Sequence, residues 1–99
     1  MKRVDVILSL ALEEDFRQHW EDACIKMGIK CKYTRIDNVT GQGESDPRLG
    51  NSVWPQFNTS YILFCEENAL DEIRSIMDVL HKEYPNEDAA AFVSDAQVL

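Results

Sequence analysis

The chain has 99 residues, of which 44% are hydrophobic and 9% aromatic, a composition that supports one packed core and excludes a disordered chain. Ten lysines and arginines stand against eighteen aspartates and glutamates, and the formal charge of -8 repels nucleic-acid phosphates and anionic lipid. No apolar run approaches the roughly twenty residues of a membrane span. We therefore expect one domain over residues 1–99, located in the cytoplasm, with no nucleic-acid partner and no membrane insertion.

The first third of the chain has the pattern of a strand followed by a helix. Apolar residues at alternate positions over 4–10 predict a half-buried strand, and Ile7 makes its second face partly apolar. Apolar residues at helical spacing over 12–27 predict an amphipathic helix, which Gly28 is placed to end. Alternation resumes at Ile29 and predicts a second strand, with a phase slip just after Arg35 that is typical of a bulge.

A long loop over 39–58 separates this half from the next. It carries three of the four glycines and two of the three prolines, so neither a helix nor a central strand is expected to run through it. Connections of this length are usually functional or disordered. We predict that the loop is a recognition element, mobile when free and ordered by a ligand or a protein partner, with Trp54 and Phe57 fixing only its far end.

The second half repeats the pattern. Residues 59–65 are the densest run of β-formers and predict a strand that is apolar on both faces. Asn68 is placed as the N-cap of a second amphipathic helix, which Pro85 ends, and residues 89–93 predict a fourth strand.

The order β-α-β, loop, β-α-β predicts an α+β fold, the ferredoxin-like split β-α-β sandwich with a four-stranded antiparallel sheet and both helices on one face. The other face then exposes Ile7, Ile62 and Phe64. Because single domains seldom expose such an apolar patch, we expect a homo-oligomer that packs through these residues.

Residues able to carry chemistry are few. Three cysteines without a CxxC spacing predict reduced core thiols, and no nucleophile–base motif points to an enzyme. An acidic turn with Glu83, Glu87 and Asp88, near His81 and Asn86, has ligands for a divalent cation, but a solvated turn is the alternative. We expect no catalytic residues, no bound metal and no cofactor.

Several stretches resemble the PII-like superfamily, which includes the nitrogen-regulatory PII signal proteins and the CutA divalent-ion tolerance proteins. The opening KRVDVILSL with its helix ending at Gly28 is similar to the first half of PII, and TGQG (residues 40–43) stands where PII carries a glycine pair. YILFCEENALDEIRSIMDVL is similar to the second βα unit of PII, and HKEYPNEDAAAFV resembles a CutA segment. The resemblance implies a homotrimer and a non-enzymatic regulator that senses a small ligand and presents the loop to a partner; the alternative is a CutA-like divalent-metal-binding module.

One departure bears on the ligand. PII proteins bind the ATP triphosphate through a glycine-rich, basic loop, whereas the corresponding turn here, residues 84–88, has two carboxylates and no glycine. The sequence therefore predicts weak ATP binding or none. The candidate ligand- or partner-binding residues are Arg35, Gly41, Gly43, Arg48, Trp54 and Asn86.

Overall fold

The computed structural model describes every residue from Met1 to Leu99. Its regular elements, in chain order, are β1 (Lys2–Ser9), α1 (Glu13–Met27), β2 (Thr34–Val39), β3 (Asn58–Cys65), α2 (Glu67–Glu83) and β4 (Ala89–Asp95). The strands form one antiparallel sheet in the order β2-β3-β1-β4. This is the ferredoxin-like βαββαβ arrangement that the sequence predicts. Neither helix combines the length and the apolar character needed to cross a membrane.

The core lies between one face of the sheet and the two helices. Alternate residues of the two central strands point into it, and the fully buried members are Val4, Val6, Leu8, Tyr61 and Leu63. They pack against the apolar stripes of the helices, which include Phe16, Trp20, Ile73, Met77 and Leu80. Each such large side chain contributes about 1.5–3 kcal/mol when it is fully buried, so this layer holds the helices to the sheet.

Two of the predicted helix ends agree with the structure and one does not. α1 ends at Gly28, whose left-handed φ of 68° suits a residue without a Cβ. α2 stops at Glu83, two residues before Pro85. The predicted N-cap at Asn68 is wrong: α2 begins at Glu67, and Glu66 precedes it without a side-chain cap. Only one residue separates β3 from α2, so the strand fixes where the helix starts.

The second strand starts later than predicted. The chain alternates from Ile29, but β2 begins at Thr34, opposite Ile62 of β3. The segment just before β2 is fixed by a contact with α1, because the Trp20 indole N–H donates to the Lys32 carbonyl over 3.3 Å. A register shift between Ile36 and Val39 confirms an irregularity in this strand, slightly beyond the predicted phase slip.

The face of the sheet opposite the helices has no cover within the chain. Ile7, Phe64 and Phe92 are 39%, 50% and 60% exposed there. Ile62 lies beside them because it pairs with Asp5, which also pairs with Phe92. We call this surface the open face. The predicted apolar residues Ile7, Ile62 and Phe64 do lie together on it, and Phe92 extends the patch.

Two glycines with positive φ give a matched test of backbone strain. Gly28 (φ 68°) has open space where a Cβ would stand, whereas a Cβ on Gly50 (φ 63°) would overlap the Phe57 ring. We expect Gly28→Ala to lower the free energy of unfolding by about 1 kcal/mol, for left-handed backbone strain alone. Gly50→Ala should cost about 2–4 kcal/mol, because steric overlap adds to it. Urea unfolding of both variants checks this, and equal losses would contradict it.

Candidate functional site

The loop over residues 40–57 has a defined internal structure, which its composition did not predict. Gly41 and Arg48 exchange two backbone hydrogen bonds of 2.8 Å, so the loop begins as a short antiparallel bridge. At its far end the Asn51 side-chain oxygen accepts the Trp54 N–H at 2.7 Å. The Gly50 N–H donates to the Gln56 carbonyl at 3.1 Å, which closes the loop above β3.

Arg48 ties this loop to the turn between α2 and β4. Its side chain is only 7% exposed, and its guanidinium donates to Asp88 at 2.7 Å and to Glu87 at 3.1 Å. The Ser45 hydroxyl donates to the same Asp88 oxygen at 2.6 Å. The only cation of the loop is therefore used within the chain, although the sequence predicts Arg48 as a ligand- or partner-binding residue. We call these contacts the Arg48 latch.

A small cavity of about 250 Å³ lies beside the latch. It brings together three of the predicted site residues, Arg48, Trp54 and Asn86, with Glu87 and Asp46 among its other lining groups. Its walls are mainly polar and its one buried cation is already paired with two carboxylates. This cavity, the loop cavity, has little apolar surface with which to hold a ligand.

A larger cavity of about 460 Å³ lies where the base of the loop meets the open face. We call it the sheet cavity. The end of β2 and the start of the loop contribute residues 39–44, including the predicted Gly41 and Gly43, and the other strands contribute apolar and amide side chains. The strand residues that line it are Ile7, Asn58, Ala89, Ala90 and Phe92, and Asp88 completes the wall. Its volume is in the range of small-molecule sites.

Arg35, the remaining predicted site residue, lies apart from both cavities. Its guanidinium contacts the Glu13 carboxylate at 3.0 Å and Asp37 at 2.7 Å. The buried Glu13 also accepts from Arg17 at 3.0 Å and from the Tyr61 hydroxyl at 2.5 Å. Burying a carboxylate is costly unless it is paired and hydrogen-bonded, and these three donors meet that need. Arg35 therefore joins β2 to α1 and β3.

The Tyr61 hydroxyl in this cluster makes stability depend on alkaline pH. Burial, and then the hydrogen bond to the Glu13 carboxylate, raises the pKa of Tyr61 above its ordinary value of 10.0. The folded pKa exceeds the unfolded one, so this contribution is intact below about pH 10 and is lost as pH rises further. We expect wild-type stability to fall there by up to about 1.4 kcal/mol per pH unit from this group, and Tyr61→Phe to have a shallower slope. Urea midpoints from pH 8 to 11 test this, and parallel slopes would contradict it.

The cysteines are free thiols: Cys24 and Cys65 are buried and Cys31 is half-buried. Burial raises the pKa of the Cys24 thiol to about 12, so it is not a thiolate nucleophile at neutral pH. No group of three or more histidine, cysteine, aspartate or glutamate side chains is placed to hold a metal ion. In the acidic turn, Glu87 and Asp88 belong to the Arg48 latch, and the His81 ring lies 2.6 Å from the Ala89 carbonyl oxygen.

Two residues of the sheet cavity were missed in the sequence. Asn58 opens β3 and is only 9% exposed, and its amide oxygen has no hydrogen-bond partner in the chain. Phe92 lies in a predicted strand, and nothing in the local sequence distinguishes it from the other residues of that strand. Only the sheet order places it beside Asp5 and near Ile7. A polar residue at the start of a β-former run was the one available signal for Asn58.

Proteins similar to this chain are found among solved structures. No protein-family model and no curated protein sequence matches the chain. Among solved structures, CPII from Thiomonas intermedia K12, a nitrogen regulatory PII-like protein bound to ADP, AMP and bicarbonate, matches with a TM-score of 0.73. The match has 21% sequence identity and covers 98% of this chain and 86% of CPII. A candidate PII-like signaling protein from Thermus thermophilus, TTHA0516, matches with a TM-score of 0.57 and 21% identity, over 94% of this chain and 83% of that one.

The fold and the cavities define a ferredoxin-like α+β protein with an uncovered apolar sheet face and a ligand-sized cavity under a long loop. More particularly, the chain has the PII-like fold, as the sequence resemblance predicts.

Proposed function

We propose that this protein is a non-enzymatic, homotrimeric regulator of the PII-like kind, which senses a small ligand at the base of its loop and presents the loop to a protein partner. One observation carries the proposal: the sheet cavity is built jointly from loop residues 39–44 and from the open face. A ligand bound there contacts both the segment that would meet a partner and the surface that would meet a second copy. Such a ligand stabilises the arrangement of the loop and the open face with which it makes the better contacts.

The open face supports the trimer. Ile7, Phe64 and Phe92 are exposed on the same face, with Ile62 between them, and large apolar patches on soluble proteins usually mark interaction surfaces. At its centre Arg3 and Asp5 form an ion pair of 2.9 Å, which places the Arg3 guanidinium 6.0 Å from the centre of the Phe64 ring. The two charges at the centre of the open face therefore pair with each other, so a second copy can cover the face without burying an unpaired charge.

The polar groups of the chain support a binding role over catalysis. The Arg48 latch and the Glu13 cluster use their charges in internal ion pairs. The CutA-like alternative draws no support from the acidic turn, where Glu87 and Asp88 are both paired with Arg48. We therefore place ligand sensing first, and the ligands of CPII, which are ADP, AMP and bicarbonate, give the first compounds to try.

A ligand screen by thermal shift, with nucleotides, bicarbonate and divalent ions, tests this function. A compound that binds only the folded protein raises its melting temperature, with about 2.7 kcal/mol of stabilisation at a hundredfold excess over Kd. We expect at least one small molecule to do so in a protein that sedimentation equilibrium shows to be a trimer. A monomer that no compound stabilises would contradict the proposal.

Within that screen we expect ATP with magnesium to bind weakly or not at all. Neither the sheet cavity nor the acidic turn offers a free cation, because the lining of the sheet cavity contains no lysine or arginine and Arg48 is paired. Calorimetry is the measurement, and we expect a Kd above about 1 mM, or about 4 kcal/mol of binding free energy at most. A micromolar Kd would show that cations from a neighbouring copy complete the site.

A further inference from the structure

The sheet cavity has the chemistry of a cation site rather than of a phosphate site. Its lining contains two carboxylates, Glu44 and Asp88, and no basic residue. Glu44 is exposed and forms no ion pair, whereas Asp88 is paired with Arg48, which does not line this cavity. The net charge of -8 adds to the negative potential. An anion entering the cavity is therefore repelled and a cation attracted.

The backbone at the loop base is also unsuited to holding phosphate. A phosphate cradle needs backbone N–H groups that point at the anion. Here the Gly41 N–H donates to the Arg48 carbonyl at 2.8 Å, and the Gly41 carbonyl accepts from the Arg48 N–H. The backbone N–H of Gly41 is therefore already bonded within the loop and is not free to bind a phosphate.

What the cavity does offer is an amide side chain with an unsatisfied oxygen, together with apolar side chains of the open face. The Asn58 side chain lines it, is nine-tenths buried, and has an amide oxygen without a partner. The oxygen is buried, and the amide nitrogen lies toward Gly41 of the lining, 4.0 Å from where a Cβ on that glycine would stand. A half-turn of the amide exchanges the two atoms and turns the oxygen toward a ligand N–H. Phe92 supplies an aromatic ring, and Ile7 and Ala90, which pair across β1 and β4 on the same face, supply apolar side chains. A flat cation next to an aromatic ring is attracted by the ring as well as by the carboxylates.

From these observations we propose that the sheet cavity binds a small organic cation, a protonated amine or amidinium joined to a flat apolar group, with the charge toward Glu44 and the N–H groups toward Asn58. This inference rests on the proposed ligand-sensing function and names the class of its ligand. It also makes the chain differ from CPII, whose structure contains the phosphorylated ligands ADP and AMP.

Benzamidine and benzoate make a matched pair of probes, since they share a flat ring and differ in the sign of their charge. We would titrate each into isotopically labelled full-length protein and follow the backbone amides of Gly41, Gly43, Asn58 and Phe92. Benzamidine should shift these signals with a Kd of about 1 mM, at least tenfold tighter than benzoate, because one favourable and one unfavourable charge interaction separate the two probes. Glu44→Gln should reduce the preference several-fold, and Glu14→Gln, on an exposed carboxylate of α1, should leave it unchanged.

Tighter binding of benzoate, or no shift of these amides with benzamidine, would overturn the inference. If the protein were nevertheless a trimer stabilised by another compound, the proposed function would stand without this ligand class. Conversely, a monomer that binds benzamidine at these residues would keep the ligand class and contradict the trimeric regulator.

Discussion

Phe64→Asp is expected to convert the native assembly to monomers. Phe64 is 50% exposed on the open face, next to Arg3, and the proposed trimer covers it. An aspartate there would be buried by the partner without a free counter-charge, because Arg3 is already paired with Asp5 at 2.9 Å. We expect each contact between copies to weaken by more than about 100-fold, since burying an unpaired charge costs at least about 3 kcal/mol.

Sedimentation equilibrium at micromolar concentration is the measurement, and circular dichroism reports whether the monomers stay folded. Ile25→Asp is the matched control: it makes the same kind of substitution at a side chain that is 78% exposed on α1, in the layer away from the open face. That variant should remain a trimer. A wild-type chain that sediments as a monomer, or a Phe64→Asp variant that still forms trimers, would contradict the proposal that the open face is the trimer interface.

The second large effect is expected from the Arg48 latch. Arg48→Met keeps most of the side-chain volume but leaves Glu87 and Asp88 facing each other's charge without a cation. Removing one partner of a buried ion pair costs about 3–5 kcal/mol, and we expect about 2–3 kcal/mol here because the carboxylates are 28–32% exposed. The loss falls on the loop over 40–57, which only the latch ties to the turn before β4.

Hydrogen exchange makes that loss visible. Amides of the loop that are hydrogen-bonded in the structure, such as Gly41 and Gly50, should exchange about 30- to 150-fold faster in Arg48→Met, while amides of the sheet change little. Arg74→Met removes an exposed pair with Asp71 and should have almost no effect. Adding Asp88→Asn to Arg48→Met should recover part of the protection. Unchanged exchange in the loop would show that the backbone bonds alone hold it.

The candidate site was only partly predictable from the sequence. The predicted loop over 39–58 is right to within one residue at each end, because glycines and prolines stop regular structure locally. Its fold was not predicted, because Arg48 contacts Glu87 and Asp88 from positions 39 and 40 residues earlier, and no local pattern encodes a contact of that span. The same holds for Asn58 and Phe92, which are 34 positions apart in the sequence and meet only across the sheet cavity.

By itself, the sequence determined the kinds of elements and their order. Alternation and helical spacing are local properties of the chain, and they fixed the strands, the helices, the end of α1 at Gly28 and the apolar residues of the open face. The tertiary structure is needed to place the start of β2, since the Trp20 indole on α1 donates to the Lys32 carbonyl just before that strand. The tertiary structure alone decided which charges remain free, because Arg48 and Arg35 find carboxylates on distant elements and Glu44 finds no cation. Electrostatic pairing acts through space, so the ligand chemistry of the cavity follows from folding and not from composition.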